Sequence, residues 1–129
     1  MSRFLLDTHA FIWWVSDSIE LSAEVREIIA SPKHEIFFSA ASAWEIAIKA
    51  RLGRLKVVGN PETSVPNNIA KNNFVALPIT VEAALRTHAL ERHHDDPFDR
   101  LLVAQSLTED MPLISKDKVF KKYKITTLW

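Results

Sequence analysis

The sequence predicts a three-layer α/β/α domain with a mainly parallel sheet of about five strands. Short apolar runs that fit buried strands alternate along the chain with longer segments that fit helices, and parallel strands need such crossover connections. The chain has 129 residues, of which 47% are apolar and 25% charged, as in ordinary globular domains. We therefore expect residues 1–129 to form a single domain with a real hydrophobic core.

Five short apolar segments are the strand candidates. The first ends directly at Asp7, and Pro78 stops the third. In chain order they are residues 4–6, 35–39, 74–77, 113–114 and 125–128.

The first helix candidate is an apolar segment over residues 10–15. The other candidates begin at residues that can cap a helix, and Ser22 caps one that reaches about residue 30. Thr80 caps a helix to about residue 90. Asp96 caps the last one, which has Pro97 at its first position and runs to about residue 109.

The segment from Ser42 to Glu45 has the form of a capping box and predicts a helix over residues 42–52. Trp44, Ile48 and Leu52 form the apolar stripe of that helix. Residues 57–66 then predict a loop or the start of a helix that reaches residue 73, because Gly59, Pro61 and Pro66 fall there.

Composition excludes several classes of site. The chain has no cysteine, which excludes a disulfide and a thiolate metal site, and its two glycines exclude a glycine-rich phosphate loop. Sixteen basic residues balance sixteen acidic ones, which argues against tight nonspecific binding to a phosphate backbone. The first residues do not fit a signal peptide, and no segment is apolar enough for a membrane span.

Four acids are predicted to meet at the carboxyl edge of the sheet: Asp7, Glu45, Asp99 and Asp117. Each has an ordinary explanation by itself, such as turn chemistry for Asp7 or the capping box and a Lys49 pair for Glu45. Several converging carboxylates repel one another unless a cation neutralises them. Oxygen ligands of this kind favour Mg²⁺ or Mn²⁺, so the pattern predicts a metal site.

Four segments place the acids in short motifs: FLLDTH at 4–9, SAWEI at 42–46, HDDPFDRLLVAQ at 94–105 and LISKD at 113–117. In this order they resemble the motifs of PIN-domain nucleases, particularly the VapC-type toxins of type II toxin–antitoxin pairs. Residues 94–105 resemble the family's central motif, and residues 4–9 resemble its first motif. The resemblance implies that Asp7, Glu45, Asp99 and Asp117 are the catalytic, metal-binding residues, with Asp96, Thr8 and Ser115 as accessory residues.

The resemblance also implies a PIN-like fold and an Mg²⁺- or Mn²⁺-dependent endoribonuclease that leaves 5′-phosphate and 3′-hydroxyl ends. It implies a cytoplasmic protein that forms a homodimer and is inhibited by a cognate antitoxin. Single-stranded or loop RNA is the expected substrate, because its bases and backbone are accessible. Basic residues near the acids, Arg100, Lys116 and Lys118, are candidates for holding the RNA backbone.

Three other functions fit parts of the pattern. A receiver-like phosphotransfer domain also places carboxylates and Mg²⁺ at strand ends, but it needs an acid after a middle strand, and none follows residues 74–77. A haloacid-dehalogenase phosphatase needs a second acid where His9 stands. A catalytically inactive PIN-like module that binds RNA or protein remains an alternative.

No histidine is assigned to the metal, because adjacent His93 and His94 point apart on regular backbone.

Overall fold

The computed structural model describes residues 2–57 and 59–129; Met1 and Val58, the latter in the predicted 57–66 segment, lie outside the described residues. Strands and helices alternate as the sequence predicts. The strands are β1 (Ser2–Leu6), β2 (His34–Ser39), β3 (Val75–Leu77), β4 (Leu113–Ile114) and β5 (Thr127–Leu128). The helices are α1 (Thr8–Val15), α2 (Ala23–Ala30), α3 (Ala40–Arg51), α4 (Pro61–Lys71), α5 (Val81–Arg86) and α6 (Pro97–Glu109). Short 3₁₀ turns follow α5 at Thr87–Ala89 and β4 at Lys118–Lys122.

The five strands form one sheet in the order β3-β2-β1-β4-β5, and every neighbouring pair is parallel. The predicted mainly parallel sheet is confirmed. Because all strands run the same way, their carboxyl ends lie along one edge. The central strand β1 ends at Leu6, which pairs with Phe38 of β2 and with Ile114 of β4.

Helices cover both faces of the sheet, and alternate residues of β1, β2 and β4 enter two different hydrophobic cores. Leu6 and Phe38 belong to a cluster with α1, α2 and α4, whereas their neighbours Leu5 and Phe37 belong to a cluster with α6. The second cluster also contains Phe120, which is fully buried. The predicted three-layer α/β/α architecture is confirmed.

The predicted helix caps are largely in place. The side chain of Ser22 accepts a hydrogen bond from Val25 N, and Thr80 accepts one from Ala83 N. Asp96 accepts bonds from the backbone nitrogens of Phe98 and Asp99, at 2.9 and 3.0 Å. The last of these caps matters most, because it fixes the first turn of α6.

Two predictions about the third helix were wrong. Helix α3 begins at Ala40 with Ser39 as its cap, so Ser42 and Glu45 lie inside the helix and form no capping box. Trp44 and Leu52, which we expected in an apolar core stripe with Ile48, are 56% and 59% exposed. Helix α3 instead buries the face that carries Glu45. The reason is that this face lies against α1, where Glu45 finds polar partners.

The predicted loop or helix start over residues 57–66 contains the beginning of α4. Asn60 caps this helix, and Pro61 occupies its first turn, where a missing N–H costs nothing. No helix of the described residues is long and apolar enough to cross a membrane.

Candidate active site

A cavity of about 580 Å³ opens at the carboxyl edge of the sheet and gathers most of the charged residues singled out in the sequence. Its acidic lining residues are Asp7, Glu45, Asp96, Asp99 and Asp117. Its basic and aromatic lining residues are Lys49, Lys116, Lys118, His9 and Trp13. The structure therefore brings together all four acids that the sequence predicted to meet, and adds Asp96.

The parallel sheet explains how distant acids reach one cavity. Asp7 directly follows β1, and Asp117 lies three residues after the end of β4, which is the neighbour of β1 in the sheet. Glu45 is carried by α3, which leaves the end of β2. Asp99 lies in the first turn of α6, whose start is fixed by the Asp96 cap.

Glu45 is held by two partners of different charge. The hydroxyl of Thr8 donates to Oε1 at 2.5 Å, and the ammonium of Lys49, one helical turn further on, lies 2.5 Å from Oε2. Ser42 Oγ lies 2.8 Å from the same Thr8 hydroxyl. The pair with Lys49 that the sequence suggested is present. The hydrogen bond to Glu45 raises the pKa of Lys49, so this lysine stays charged.

Asp7 is anchored from the neighbouring strand. Ser115, just after β4, donates to its Oδ2 at 2.7 Å, and the Asp117 backbone nitrogen donates to the same Ser115 hydroxyl at 3.1 Å. Asp7 is 6% exposed. Burial raises the pKa of Asp7 above the ordinary value of 3.8, although the bond from Ser115 opposes that rise.

Asp99 has a strongly raised pKa. Burial first, and then the negative charges of the other four acids of the cavity, Asp96 most of all, together raise its pKa from 3.8 to about 8. Its Oδ2 lies 3.1 Å from Nε2 of His94. A rise of this size indicates that the protein alone does not neutralise the negative charge gathered around Asp99.

The accessory and basic residues predicted from the sequence divide into two groups. Thr8, Ser115 and Asp96 each bond within the acidic cluster or fix its backbone, as described above. Lys116 and Lys118 line the cavity, and Lys116 also pairs with Glu20 at 2.5 Å.

Arg100 is not among the residues that line the cavity. Its guanidinium donates to the backbone oxygens of Thr87, Leu90 and Glu91 and to the hydroxyl of Tyr123. These bonds turn Arg100 toward the protein, and they leave Lys116 and Lys118 as the predicted substrate cations that face the cavity.

Two residues of the site were not assigned any role from the sequence. His94 contacts Asp99, and Trp13 lines the cavity with its ring 5.5 Å from that of His9. His94 directly precedes the acidic pair before Pro97, which was the available signal. No local pattern indicated that its ring turns back toward α6.

The donor set fits a hard divalent cation, because every acid supplies oxygen ligands and their combined charge is unbalanced. As placed, no three Asp, Glu or His side chains within residues 2–57 and 59–129 are close enough to hold one ion between them. A carboxylate offers about four lone-pair positions. The hydrogen bond from Ser115 to Asp7 and the contact between His94 and Asp99 therefore leave acceptor capacity for a cation.

The fold and the acidic cavity define a class of protein. The family model described as "PIN domain" matches residues 4–125, and the chain belongs to the PIN domain family. The sequence resemblance to this family is thereby confirmed.

Particular relatives are named ribonucleases. The chain is 27% identical to Ribonuclease VapC22 of Mycobacterium tuberculosis over 125 residues, which cover 96% of this chain and 94% of that protein. It is 37% identical to Ribonuclease VapC16 of the same organism over 65 residues, which cover 50% of this chain and only 45% of that protein. The fold is similar to the crystal structure of VapBC2 from Rickettsia felis bound to a DNA fragment from their promoter. That similarity has a TM-score of 0.72, at 11% identity, over 98% of this chain and 97% of the other.

Proposed function

We propose that residues 1–129 form one PIN domain that acts as a metal-dependent endoribonuclease, the toxin of a toxin–antitoxin pair. The observation that carries this proposal is the convergence of five acids on one cavity in a chain of the PIN family. The ribonuclease names of two relatives support RNA as the substrate.

Asp7, Glu45, Asp99 and Asp117 would hold Mg²⁺ or Mn²⁺, with Asp96 close by. Such an ion neutralises charge that develops on the phosphate and lowers the pKa of bound water. The protein supplies the orientation. Ser115 fixes Asp7 and Thr8 fixes Glu45, so two of the acids are held by hydroxyls from other elements.

Other groups of the cavity would bind the RNA backbone and accept the proton of the attacking water. Lys116 and Lys118 are placed to bind phosphate oxygens of the RNA backbone. The water that attacks phosphorus must lose a proton, and the carboxylates of the cavity are the bases within reach. The leaving group is the 3′ oxygen of the preceding nucleotide, so the products carry 5′-phosphate and 3′-hydroxyl ends.

The direct test is incubation of the purified protein with end-labelled single-stranded RNA and Mg²⁺ or Mn²⁺, with EDTA as the control. We expect endonucleolytic fragments with the metal and none with EDTA. Cleavage that persists in EDTA would contradict the metal proposal. No cleavage of any RNA, together with RNA binding, would favour the alternative of an inactive binding module.

A cognate antitoxin is the proposed protein partner. It follows from the resemblance to VapC-type toxins, and the similar fold of Rickettsia felis VapBC2 supports it. A cytoplasmic location follows from the same resemblance.

A homodimer is the second proposed assembly, and an exposed apolar stripe on α3 supports it. Trp44 and Ile48 lie on α3, and Leu52 is the residue that ends this helix. The three are spaced four residues apart, and the first and last are more than half exposed. We expect the double variant Trp44→Gln/Leu52→Gln to lower the molar mass measured by light scattering from that of a dimer toward 14.7 kDa. Ile19→Gln is the control, because Ile19 is 98% exposed outside this stripe. An unchanged mass in the double variant would place the interface elsewhere.

A further inference from the structure

A chain of four hydrogen-bonded polar side chains runs from Arg100, on α6, through Tyr123 and His94 to Asp99. Arg100 Nη1 lies 3.2 Å from the hydroxyl oxygen of Tyr123. That hydroxyl lies 2.8 Å from Nδ1 of His94, and Nε2 of the same ring lies 3.1 Å from Oδ2 of Asp99. Tyr123 is 24 residues from Asp99 in the sequence, so the tertiary fold builds this chain.

The direction of every hydrogen bond in this chain follows from its first member. A guanidinium has donors only, so Arg100 donates and the Tyr123 oxygen accepts. The single proton of the Tyr123 hydroxyl is then available for Nδ1 of His94. In a neutral imidazole one nitrogen accepts and the other donates, so Nε2 carries the proton and donates to Asp99.

Arg100 is well placed to fix this direction, because its other bonds are all to the backbone. It donates to the carbonyl oxygens of Glu91 and Thr87, both at 3.0 Å, and of Leu90 at 3.3 Å. These three hydrogen bonds hold the guanidinium in a fixed position against the backbone of residues 87–91. The Tyr123 ring is also locked, since this residue is 6% exposed and belongs to the core cluster against α6.

We propose that His94 is a positioning residue, held by Arg100 and Tyr123 as the Nε2–H tautomer, which fixes one oxygen of Asp99 so that the other is presented to a divalent cation. Outer partners that orient a ligand in this way are a general feature of metal sites, and losing one typically weakens metal affinity by about 10- to 100-fold. This inference rests on the proposed function, because it assumes that Asp99 binds a divalent cation.

The tautomer can be measured without any metal. Two-bond ¹H–¹⁵N correlation spectra of metal-free protein at neutral pH distinguish the two neutral tautomers, and loss of one of five histidine signals in His94→Gln assigns the ring. We expect the Nε2–H pattern in the unaltered protein and a loss of this preference in Tyr123→Phe, which keeps the ring but removes the donor. An Nδ1–H or doubly protonated ring in the unaltered protein would overturn the proposal.

The effect on Asp99 is measured by titration with Mn²⁺ alone, followed by electron paramagnetic resonance. We expect His94→Leu to weaken Mn²⁺ binding about tenfold or more, and His94→Gln, whose amide keeps an N–H donor, to recover part of it. His88→Gln is the control, because His88 is exposed on the 3₁₀ turn. Equal affinity in His94→Leu and the unaltered protein would overturn the positioning role.

Asp99→Asn in the same titration separates the two proposals. If Asp99→Asn weakens Mn²⁺ binding and His94→Leu does not, the positioning inference fails and the metal site stands. If Asp99→Asn binds Mn²⁺ normally, the proposed site itself fails, and with it the claim that His94 serves a metal ligand.

Discussion

Replacing Asp99 by Asn is expected to abolish RNA cleavage and, at the same time, to stabilise the metal-free protein at pH 8. The cleavage loss follows from removing a proposed metal ligand, and we expect at least a ~1000-fold drop in rate, equivalent to ~4 kcal/mol of barrier. The gain in stability has a separate cause. Burial and four neighbouring acids raise the pKa of Asp99 to about 8, so the ionised carboxylate is unfavourable in the folded state.

The two effects are measured on the same preparation, by cleavage of labelled RNA with Mn²⁺ and by urea unfolding in EDTA. We expect a free energy of unfolding higher by ~1 kcal/mol or more at pH 8, since one pKa unit corresponds to ~1.4 kcal/mol. Asp95→Asn is the matched control, because Asp95 is exposed, pairs with Arg92 and does not line the cavity. A variant that cuts RNA at the normal rate refutes the assignment of Asp99.

Stability of the metal-free protein is expected to fall as the pH rises from about 5 to 8. Asp99 has a pKa of about 8 in the folded protein and about 3.8 when unfolded, so within this range the folded state binds more protons. Stability falls with pH wherever that is true, by up to ~1.4 kcal/mol per pH unit for one proton. Asp7, whose pKa is also raised by burial, adds to the same trend.

Saturating Mn²⁺ is expected to reverse this trend, because the proposed site would bind it through the ionised carboxylates of the folded protein. At 100 times its dissociation constant a ligand stabilises by ~2.7 kcal/mol. Urea unfolding at pH 5, 6, 7 and 8, with EDTA and with Mn²⁺, gives both curves, and Asp99→Asn should flatten the EDTA curve. A metal-free protein that becomes more stable toward pH 8 would contradict the account of the acidic cavity.

The fold was predictable because its signals are local. The caps at Ser22, Thr80 and Asp96 and the short apolar runs each report on a few neighbouring residues. The alternation of strands and helices then fixes a parallel sheet, and the sheet places Asp7 and Asp117 at one edge. Local chemistry was therefore enough to locate the cavity.

The errors arose where tertiary contacts override local chemistry. Ser42 and Glu45 have capping-box spacing, but Ser39 already caps the helix and Glu45 turns to Thr8 instead. An apolar stripe normally faces a core, yet α3 leaves Trp44 exposed, because the face that α3 buries is the one with Ala41, Ser42, Glu45 and Ile46.

The position of His94 could not be predicted for a related reason. Its partner Tyr123 is 29 residues away in the sequence, and the tertiary fold brings the two side chains into contact. No local pattern reports on such a contact.

Acids from separate elements are proposed to share a divalent cation, and calorimetric titration of Mn²⁺ into EDTA-stripped protein tests this most directly. Performed near pH 7.5 in two buffers with different heats of ionisation, it reports both binding and proton release. We expect saturable binding with protons released, because Asp99 is largely protonated in the metal-free protein, and no binding in Asp7→Asn/Asp99→Asn. Absence of binding in the unaltered protein, or equal binding in the double variant, would contradict the claim.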